Sequence, residues 1–519
     1  MKRRIELAIF GCFFLVPLLF CVFPLITYDL GFHLKAGELI WIQGSIPEHD
    51  SFSYTASGNR WVDSHWLFQL ILYGVHSALG LPGLVLLRAV LVVATFAFAL
   101  ATCWRREYLL VSIAVGLLSV FACFVRFLVR PELLTYLFLA VFFFVAETAP
   151  RFPRRALAGI FLCQLIWVNT HGLHVLGVAF LALYLLGDGL QYLANRYDPR
   201  IWGAGVTLPR LRQLSVLVAL ASVALLLNGN GLDGILYPFS LFRELRAEVS
   251  WFPWLLELQP TISWFRPLIG DPVLTYFVLL GVSGFSWLGS WRRLRLAHAL
   301  PYLVFLYLSL LAVRNMPVFA IVAVPITVRN LGVLLDRAGM SIRLSAWSRK
   351  VRQPANTVCA LGLVMIALSI ANGSFYRHVG WRDREFSIAE TERFPVDIVE
   401  HLETIEGNAW NSSNLGGYLI WKLWPEKRVG FDGRWEVYGE LVPELKAVYG
   451  RPRIFDELVQ QHDIRAVVLS KGFVETHRMF SWLSRRRDWR LTRDGRRAFL
   501  FERVADLDES GDPPEARPR

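Results

Sequence analysis

The chain has 519 residues, of which 55% are hydrophobic and 18% charged, and its formal net charge at pH 7 is +12. Apolar runs recur along most of its length, which indicates a polytopic membrane protein with room for one soluble domain. The basic residues lie mostly in short loops between these runs. The positive-inside rule therefore explains the charge better than nucleic-acid binding does, and no nucleic acid is predicted as a partner.

Several enzyme classes lack their sequence signatures in this chain. All six cysteines lie within apolar segments, so neither a disulfide framework nor a thiolate metal site is predicted. No phosphate-binding loop, His-Glu-x-x-His or Gly-x-Ser-x-Gly motif occurs, and no Gly-x-Gly-x-x-Gly opens a helix after a predicted strand. These absences argue against a nucleotide-driven pump, a zinc protease and a serine hydrolase.

The chain begins with a basic cluster, Lys2-Arg3-Arg4, which predicts a cytoplasmic N-terminus. The apolar run that follows, 5–26, is long for a secretory signal and no small-residue cleavage site comes after it. We therefore interpret it as an uncleaved first span. An outer loop, 28–81, follows, and its last part, 66–81, is predicted to be an interfacial helix that ends at the Gly80-Leu81-Pro82-Gly83 turn.

The apolar runs predict about eleven transmembrane helices, which together form a membrane domain over residues 1–371. This number places every strongly basic loop on the cytoplasmic face. The predicted spans are 5–26, 82–104, 108–125, 131–146, 156–168, 173–193, 214–227, 272–288, 299–313, 317–328 and 356–371.

The rest of the chain, 372–505, has an ordinary soluble composition and is predicted to form an extracytoplasmic α/β domain. Residues 506–519 are rich in Pro, Glu and Asp and are predicted to be disordered. The chain is thus mainly α, a polytopic helical membrane protein with a small α/β domain. The predicted strands are 418–421, 464–469, 489–491 and 498–503, with the last two forming a hairpin across Asp494-Gly495, and the predicted helices are 395–403 and 452–461.

Three ionisable residues, Asp29, His33 and Lys35, follow the first span within one or two helical turns of the membrane surface. Ionisable groups in such a place are costly and need partners, so they are candidates for a functional site. The alternative is that Asp29 ends the span and caps the next helix, while Lys35 extends to the interface.

Polar residues at the membrane boundary, Asp29 and His33 among them, fall on the same outer face under this topology. Amides, imidazoles, carboxylates and guanidiniums from separate stretches are what one composite site beneath the outer surface would contain. The alternative is that each residue caps its own helix end. The residues are Asp29, His33, Arg130, Asn169, His171, Asn228, Glu257 and Arg314.

The first outer loop carries Asp29-Leu30-Gly31-Phe32-His33-Leu34, followed by Gly-Ser-Ile-Pro-Glu-His-Asp-Ser-Phe-Ser-Tyr-Thr at 44–55. It resembles the first outer loop of bacterial membrane proteins of the GT-C glycosyltransferase superfamily, in a mostly uncharacterised branch whose loop typically reads Asp-x-Asp-x-Trp-Trp-His-Leu. Later stretches resemble that branch in the same order, so the resemblance covers nearly the whole chain. They are Arg130-Pro131-Glu132, 167–172, Asn228 with Tyr237-Pro238, 257–260, 314–317, 414–421 and 430–434.

The resemblance implies a membrane glycosyltransferase on the outer side of a bacterial inner membrane. It would move a sugar from a polyprenyl-phosphate-linked donor to a glycan, lipid or protein acceptor. Asp29 would act as the general base on the acceptor hydroxyl, and Arg130 and Arg314 would stabilise the lipid phosphate. The substrate-binding residues implied in this way are His33, Lys35, Arg130, Asn169, His171, Asn228, Glu257 and Arg314.

Thr27 stands where this branch often has its first Asp, which leaves open whether a divalent metal ion is required; no other cofactor is predicted. The same departure keeps a second hypothesis open, a non-catalytic transporter of lipid-linked glycans or an envelope-assembly scaffold. A transporter should show inverted repeats or interrupted helices near the midplane, and the sequence has no convincing internal repeat.

Overall fold

The computed structural model of the chain describes residues 2–150, 153–197, 205–244, 256–290, 294–337, 349–381, 384, 386–387, 394–472 and 474–504. Contacts divide the chain into two compact units. The bundle unit comprises residues 1–25 and 64–390, and the sheet unit comprises residues 26–63 and 391–519. The predicted disordered tail, 506–519, lies outside the described residues.

The bundle unit consists of apolar helices, and the chain is a membrane protein. Among the described helices, six are long and apolar enough to cross a membrane, and three shorter ones are also apolar. Each predicted span corresponds to one helix, but the number that cross stays a prediction. Numbered in chain order, with α2 in the sheet unit, the helices are α1 (Lys2–Leu19), α3 (Trp66–Cys103), α4 (Leu109–Cys123), α5 (Glu132–Thr148), α6 (Pro153–Val168), α7 (Val175–Tyr197), α8 (Leu208–Leu225), α9 (Gly231–Glu244), α10 (Pro272–Ser290), α11 (Leu296–Leu311), α12 (Met316–Arg337), α13 (Arg349–Ala371) and α14 (Ser374–Val379).

The predicted interfacial helix and the second span are joined in one kinked helix, α3. The kink lies at Gly80, whose φ of 64° and ψ of −159° are not helical. Glycine adopts a positive φ without the clash that a Cβ atom would cause. Pro82 follows within the same helix and cannot donate a backbone hydrogen bond, so the break falls at the Gly-Leu-Pro-Gly turn, as predicted.

Helix α12 is the central helix of the bundle unit. In its apolar window, 72% of the residues are buried inside the protein, against 22% in α8 and 22% in α13. It contacts α3, α4, α5, α10 and α11. Lipid is as apolar as these side chains, so close packing holds such helices together. The residues at the ends of α12 are therefore surrounded by the ends of other helices.

The sheet unit contains a four-stranded mixed sheet in the order β1-β2-β4-β3. Strand β1 is parallel to β2, and β4 is antiparallel to both β2 and β3. The predicted strand at 464–469 is confirmed, and so is the predicted hairpin of 489–491 and 498–503. The strands are β1 (Asn408–Asn411), β2 (Ile464–Ser470), β3 (Trp489–Asp494) and β4 (Ala498–Arg503).

The predicted strand at 418–421 is wrong, because these residues lie in helix α16 (Ser413–Leu423). A run of four apolar residues has no periodicity that separates a strand from a buried helix. Its buried residues include Leu415, Leu419 and Leu423, which share one helical face. The predicted helices at 395–403 and 452–461 are confirmed. The helices of this part of the chain are α15 (Val396–Thr404), α16, α17 (Trp435–Tyr438), α18 (Val442–Ala447), α19 (Pro452–His462) and α20 (Val474–Leu483).

The segment 26–63 belongs to the sheet unit, whereas the sequence prediction grouped the outer loop with the membrane domain. Its helix α2 (Leu30–Gln43) packs on α16 through two glycines, since a Cβ atom at Gly31 would overlap the carbonyl oxygen of Gly417. The segment also pairs with Val429, which forms a bridge to Ala409 of β1: Tyr54 N donates to Val429 O at 3.0 Å, and Val429 N donates to Phe52 O at 3.0 Å. Contacts this distant along the chain leave no local signal in the sequence.

Candidate functional site

Three arginines and two glutamates meet where the ends of α4, α5 and α12 come together. Arg126 ends a 3-10 turn that follows α4, and Glu132 is the first residue of α5. Arg314 lies in the 3-10 turn that leads into α12, and Glu257 lies in the short turn Leu256–Leu258. With Arg130, these residues form what we call the arginine cluster.

The carboxylate of Glu257 is the meeting point of the arginine cluster. Its oxygens lie 2.7 Å from Arg126 Nη1, 3.0 Å from Arg130 Nη1 and 3.4 Å from Arg314 Nη1. Glu132 lies 2.5 Å from Arg126 Nη2 and 3.8 Å from Arg314 Nη2. The structure thus brings together three of the predicted site residues, Arg130, Glu257 and Arg314, with two that were not predicted.

The arginine cluster has a buried side and a more open side. The side chains of Arg126 and Glu132 are 11% and 5% exposed, whereas those of Arg314 and Glu257 are 27% and 26% exposed. Burial acts to raise the pKa of Glu257, but the three neighbouring guanidiniums outweigh it and hold that pKa well below its usual range. Glu257 is therefore charged. Three cations and two anions leave a net positive site.

His171, a predicted site residue, is hydrogen-bonded to Thr135. Thr135 Oγ1 accepts from Trp167 Nε1 at 2.9 Å and lies 2.6 Å from His171 Nδ1. The ring of His65 is 5.7 Å from that of His171. Burial, followed by the positive charge of Arg314, lowers the pKa of His65 to about 4. His65 is thus a neutral imidazole close to the arginine cluster at neutral pH.

The amide of Asn169 holds chain segments together. Its Oδ1 accepts from Trp66 Nε1 at 3.0 Å and from Gly229 N at 2.9 Å, while its Nδ2 donates to Leu165 O at 2.8 Å and Leu227 O at 3.1 Å. All four hydrogen-bonding positions of the amide are thus in use. These contacts favour a structural role, and the predicted contact with substrate stays a prediction.

The amide of Asn228 shapes its own turn. Its Nδ2 donates to Leu225 O and to Gly231 O, both at 2.9 Å. Its Oδ1 accepts from Asn230 N at 2.9 Å. These are local contacts in the turn between α8 and α9, and they resemble the helix-end role of the alternative interpretation. A role in substrate binding stays a prediction.

In the sheet unit, Asp29, His33 and Lys35 all lie at the start of α2. Asp29 occupies the N-cap position, but its side chain makes no capping hydrogen bond, so the carboxylate is not used in the way that the alternative interpretation requires. His33 is buried, with 4% of its surface exposed. Lys35 Nζ pairs with Glu38 one turn further on, at 2.7 Å.

The Asp29 carboxylate lies against the backbone of Gly433. A Cβ atom at Gly433 would be 2.5 Å from Asp29 Oδ1. The two neighbours of this glycine form a buried ion pair, with Arg434 Nη2 2.6 Å from Asp432 Oδ2. Arg434 Nη1 also lies 2.7 Å from Asp50 Oδ1. These ion pairs fix the turn that faces Asp29.

A second carboxyl group, that of Glu436, lies near the same turn. Burial raises the pKa of Glu436 to about 7, and the negative charges of Asp432 and Asp29 act in the same direction. Its own backbone hydrogen bond and Arg434 act in the opposite direction. The surroundings of Asp29 therefore contain a carboxyl group that changes its charge near neutral pH.

Sequence reasoning missed several charged residues of both units. Arg126 and Glu132 lie four and two positions from the predicted site residue Arg130, and a charged residue at the end of an apolar run signals that a partner is needed. Asp50 and Arg434 are far apart along the chain, so their pairing had no local signal. In the described part of the chain, no group of three or more His, Cys, Asp or Glu side chains is arranged to hold a metal ion.

A second charged cluster lies further along α5 and α12, and we call it the distal cluster. Glu147 lies 2.6 Å from Arg295 Nη1 and 3.3 Å from Arg329 Nη1, and Arg210 Nε lies 2.6 Å from Asp188. Glu132 and Glu147 on α5 are fifteen residues apart, and so are Arg314, just before α12, and Arg329 on α12. Fifteen residues correspond to about 22 Å along a helix. The distal cluster consists of Glu147, Asp188, Arg210, Arg295 and Arg329.

Comparison with solved structures identifies the fold. The chain is similar to AglB oligosaccharyltransferase from Archaeoglobus fulgidus, solved in complex with an inhibitory peptide and a dolichol-phosphate. The similarity covers 93% of this chain and 71% of AglB, at 12% identity with a TM-score of 0.55. ArnT from Cupriavidus metallidurans, bound to undecaprenyl phosphate, is similar over 98% of this chain and 99% of its own, at 15% identity with a TM-score of 0.51. Both belong to the GT-C superfamily.

The chain thus has a GT-C-like polytopic membrane fold, and at these identities the likeness concerns the fold alone. No family model matches the chain. No curated protein matches it either.

Proposed function

We propose that the chain is a membrane glycosyltransferase of GT-C type that uses a sugar donor linked to a lipid phosphate. The observation that carries this proposal is the arginine cluster, in which three guanidiniums converge on one point with a net positive charge and an open side. Guanidiniums bind phosphate oxygens through charge-assisted hydrogen bonds. The fold supports the proposal, since AglB and ArnT were solved with lipid phosphates bound.

The arginine cluster would stabilise the leaving group of the reaction. When the bond between the anomeric carbon and the phosphate oxygen breaks, negative charge develops on the phosphate. Arg130 and Arg314, the more exposed guanidiniums of the cluster, would receive that charge. Arg126 is paired with the buried Glu132 and would supply a positive charge whose position is fixed.

Asp29 would act as the general base. It would accept the proton of the acceptor hydroxyl as that oxygen forms its bond to the anomeric carbon. Two features of the sheet unit support this proposal: the Asp29 side chain makes no helix-capping hydrogen bond, and it lies against a turn that two ion pairs fix. His33 and Lys35 would assist phosphate binding, and Asn169, His171 and Asn228 would line the donor site.

The finer parts of the proposal concern substrate and location. We propose a polyprenyl-phosphate-linked donor and a glycan, lipid or protein acceptor of the cell envelope. The protein would lie in a bacterial inner membrane, with its N-terminus in the cytoplasm and residues 372–505 on the outer side. The segregation of Lys and Arg along the sequence supports this orientation.

A second candidate function, transport of a lipid-linked glycan without transfer, is favoured by one observation. Helices α5 and α12 connect two separate clusters, each of three arginines and two carboxylates. A transporter that handles a charged headgroup on both faces of a membrane would need positive charge at both. Such a protein would bind and move the lipid but form no glycosidic bond.

Binding of undecaprenyl phosphate to the purified full-length protein in lipid nanodiscs tests the proposed donor site. We expect binding that Arg314→Ala weakens at least tenfold and that Arg329→Gln, in the distal cluster, leaves unchanged. Lipid and glycan profiling of a deletion strain should then reveal an accumulated donor and a missing product. The absence of phosphate-dependent binding, or equal effects of the two substitutions, would contradict the proposal.

A further inference from the structure

Glu257 and Glu132 differ in how they are held within the arginine cluster. Glu132 is the first residue of the long helix α5, and its side chain is 5% exposed. Glu257 lies in a three-residue 3-10 turn, and its side chain is 26% exposed. Glu132 is thus fixed by its helix and its burial, whereas Glu257 reaches the arginines from a short turn on the open side.

The carboxylate of Glu257 uses the donors that a phosphate would use. Its two oxygens lie 2.7 to 3.4 Å from one nitrogen of each of the three guanidiniums. A carboxylate and a phosphate each present a pair of oxygens, to which a guanidinium can donate two parallel hydrogen bonds. A carboxylate and a phosphate bound to the same three guanidiniums would lie close together, and their negative charges would repel each other strongly. Glu257 and a lipid phosphate therefore exclude each other from the arginines.

We propose that Glu257 is a tethered counter-anion that holds the phosphate position of the arginine cluster and exchanges with the lipid phosphate of the donor and product. This inference rests on the proposed function of the cluster as a phosphate site. The exchange keeps the three arginines paired in the free protein, because an unpaired cluster of cations that are partly removed from water would be costly. It also gives the protein a means of releasing its product.

Product release follows from the charges involved. The phosphate of a sugar-linked donor is a diester with one negative charge, like the Glu257 carboxylate. The phosphate that remains after sugar transfer is a monoester, with a charge of about −1.5 to −2 at pH 7. Three arginines would hold that product more tightly than the donor. A carboxylate that returns to the same guanidiniums opposes this and lowers the affinity for the product.

The test compares lipid-phosphate affinity in variants of the full-length protein in nanodiscs. The probes are undecaprenyl phosphate and undecaprenol, which lacks the phosphate. We expect Glu257→Gln to bind undecaprenyl phosphate about tenfold more tightly than the wild type, because the competing charge is gone. Affinity for undecaprenol should not change. Glu147→Gln, a matched change of a carboxylate among arginines in the distal cluster, should leave both affinities unchanged.

A second variant guards against misfolding of the first. Glu257→Asp keeps the charge but withdraws it by one methylene, so its hold on the arginines weakens, and we expect a smaller gain in affinity. Unchanged or weaker phosphate binding in both variants would overturn the inference. A wild-type protein that binds undecaprenyl phosphate no better than undecaprenol would instead overturn the proposed function itself.

Discussion

The carboxylate of Asp29 and the backbone of Gly433 are in direct contact, and the contact leaves no room for a side chain at position 433. A Cβ atom there would lie 2.5 Å from Asp29 Oδ1. Arg434, the next residue, is 1% exposed and paired with Asp50 and Asp432, so the turn cannot easily yield. The orientation of the proposed base therefore depends on a glycine.

Gly433→Ala should consequently displace the Asp29 carboxylate. We expect sugar transfer to fall about 10- to 100-fold, since a misplacement of about 1 Å is that costly, while lipid-phosphate binding stays unchanged. Gly450→Ala is the matched control, because a Cβ atom at Gly450 meets nothing within 4 Å. Initial transfer rates and binding should be measured on both variants. Equal rates in the two alanine variants would contradict the positioning role of Gly433.

Arg314→Lys distinguishes a phosphate-binding fork from a simple cation. The guanidinium presents several donors in one plane, whereas the ammonium is a point charge. We expect the lysine variant to lose at least tenfold in transfer rate, with donor binding weakened as well. The control is Arg329→Lys, a residue of the distal cluster on α12. Wild-type transfer by Arg314→Lys would show that Arg314 serves only as a charged helix end.

The pKa of Glu436 predicts a pH-dependent stability. It is about 7 in the folded protein and about 4.3 for an unperturbed glutamate, so the folded state binds the proton more tightly. The stabilisation is present at low pH and is lost as the pH rises from about 4.3 towards 7. Glu436→Gln stays neutral, so its melting temperature should exceed that of the wild type at pH 8.

The difference between these two melting temperatures should narrow as the pH falls to 5. Glu440→Gln provides the control, since Glu440 is exposed in the same part of the chain. Melting curves of the purified protein at pH 5, 6, 7 and 8 measure the effect. A difference that does not change with pH would show that Glu436 does not titrate in this range.

The predicted topology places Ser413 on the outer side of the membrane and Ser345 in the cytoplasm. This prediction is based on the concentration of Lys and Arg in 329–352 and in the other loops assigned to the cytoplasmic side. A membrane-impermeant thiol reagent added to intact cells should therefore label Ser413→Cys but not Ser345→Cys. The opposite pattern would invert the orientation and remove the outer-side location of the proposed reaction.

How much of the fold the sequence predicts depends on how local the signal is. Apolar runs located the helices of the bundle, and Gly80 with Pro82 located the break in α3, because the residues that cause these features lie within them. The strand predicted at 418–421 failed because four apolar residues fit a strand and a buried helix equally well.

The candidate site shows the same division. Arg130, Glu257 and Arg314 were predicted because they fall at the membrane boundary on the outer face, and they do converge. The pairing of Asp50 with Arg434 brings together residues that are distant in the chain, and nothing in either segment alone indicates it. A single sequence signals that a charge needs a partner, but the fold determines which partner it has.

Asp29→Asn tests the proposed general base most directly. Asparagine keeps the size of the side chain and most of its hydrogen bonding but cannot accept the proton. We therefore expect this variant to fold normally and to bind the lipid-linked donor, yet to transfer sugar at least roughly a hundredfold more slowly. A helix cap would behave differently, because Asn caps a helix nearly as well as Asp does.

The most direct measurement is therefore the rate of sugar transfer by Asp29→Asn in reconstituted, purified protein, with donor binding measured on the same preparation. We expect unchanged binding and a rate reduced by about 10² to 10⁴. Transfer at the wild-type rate would contradict this expectation, and Asp29 would then not be the base.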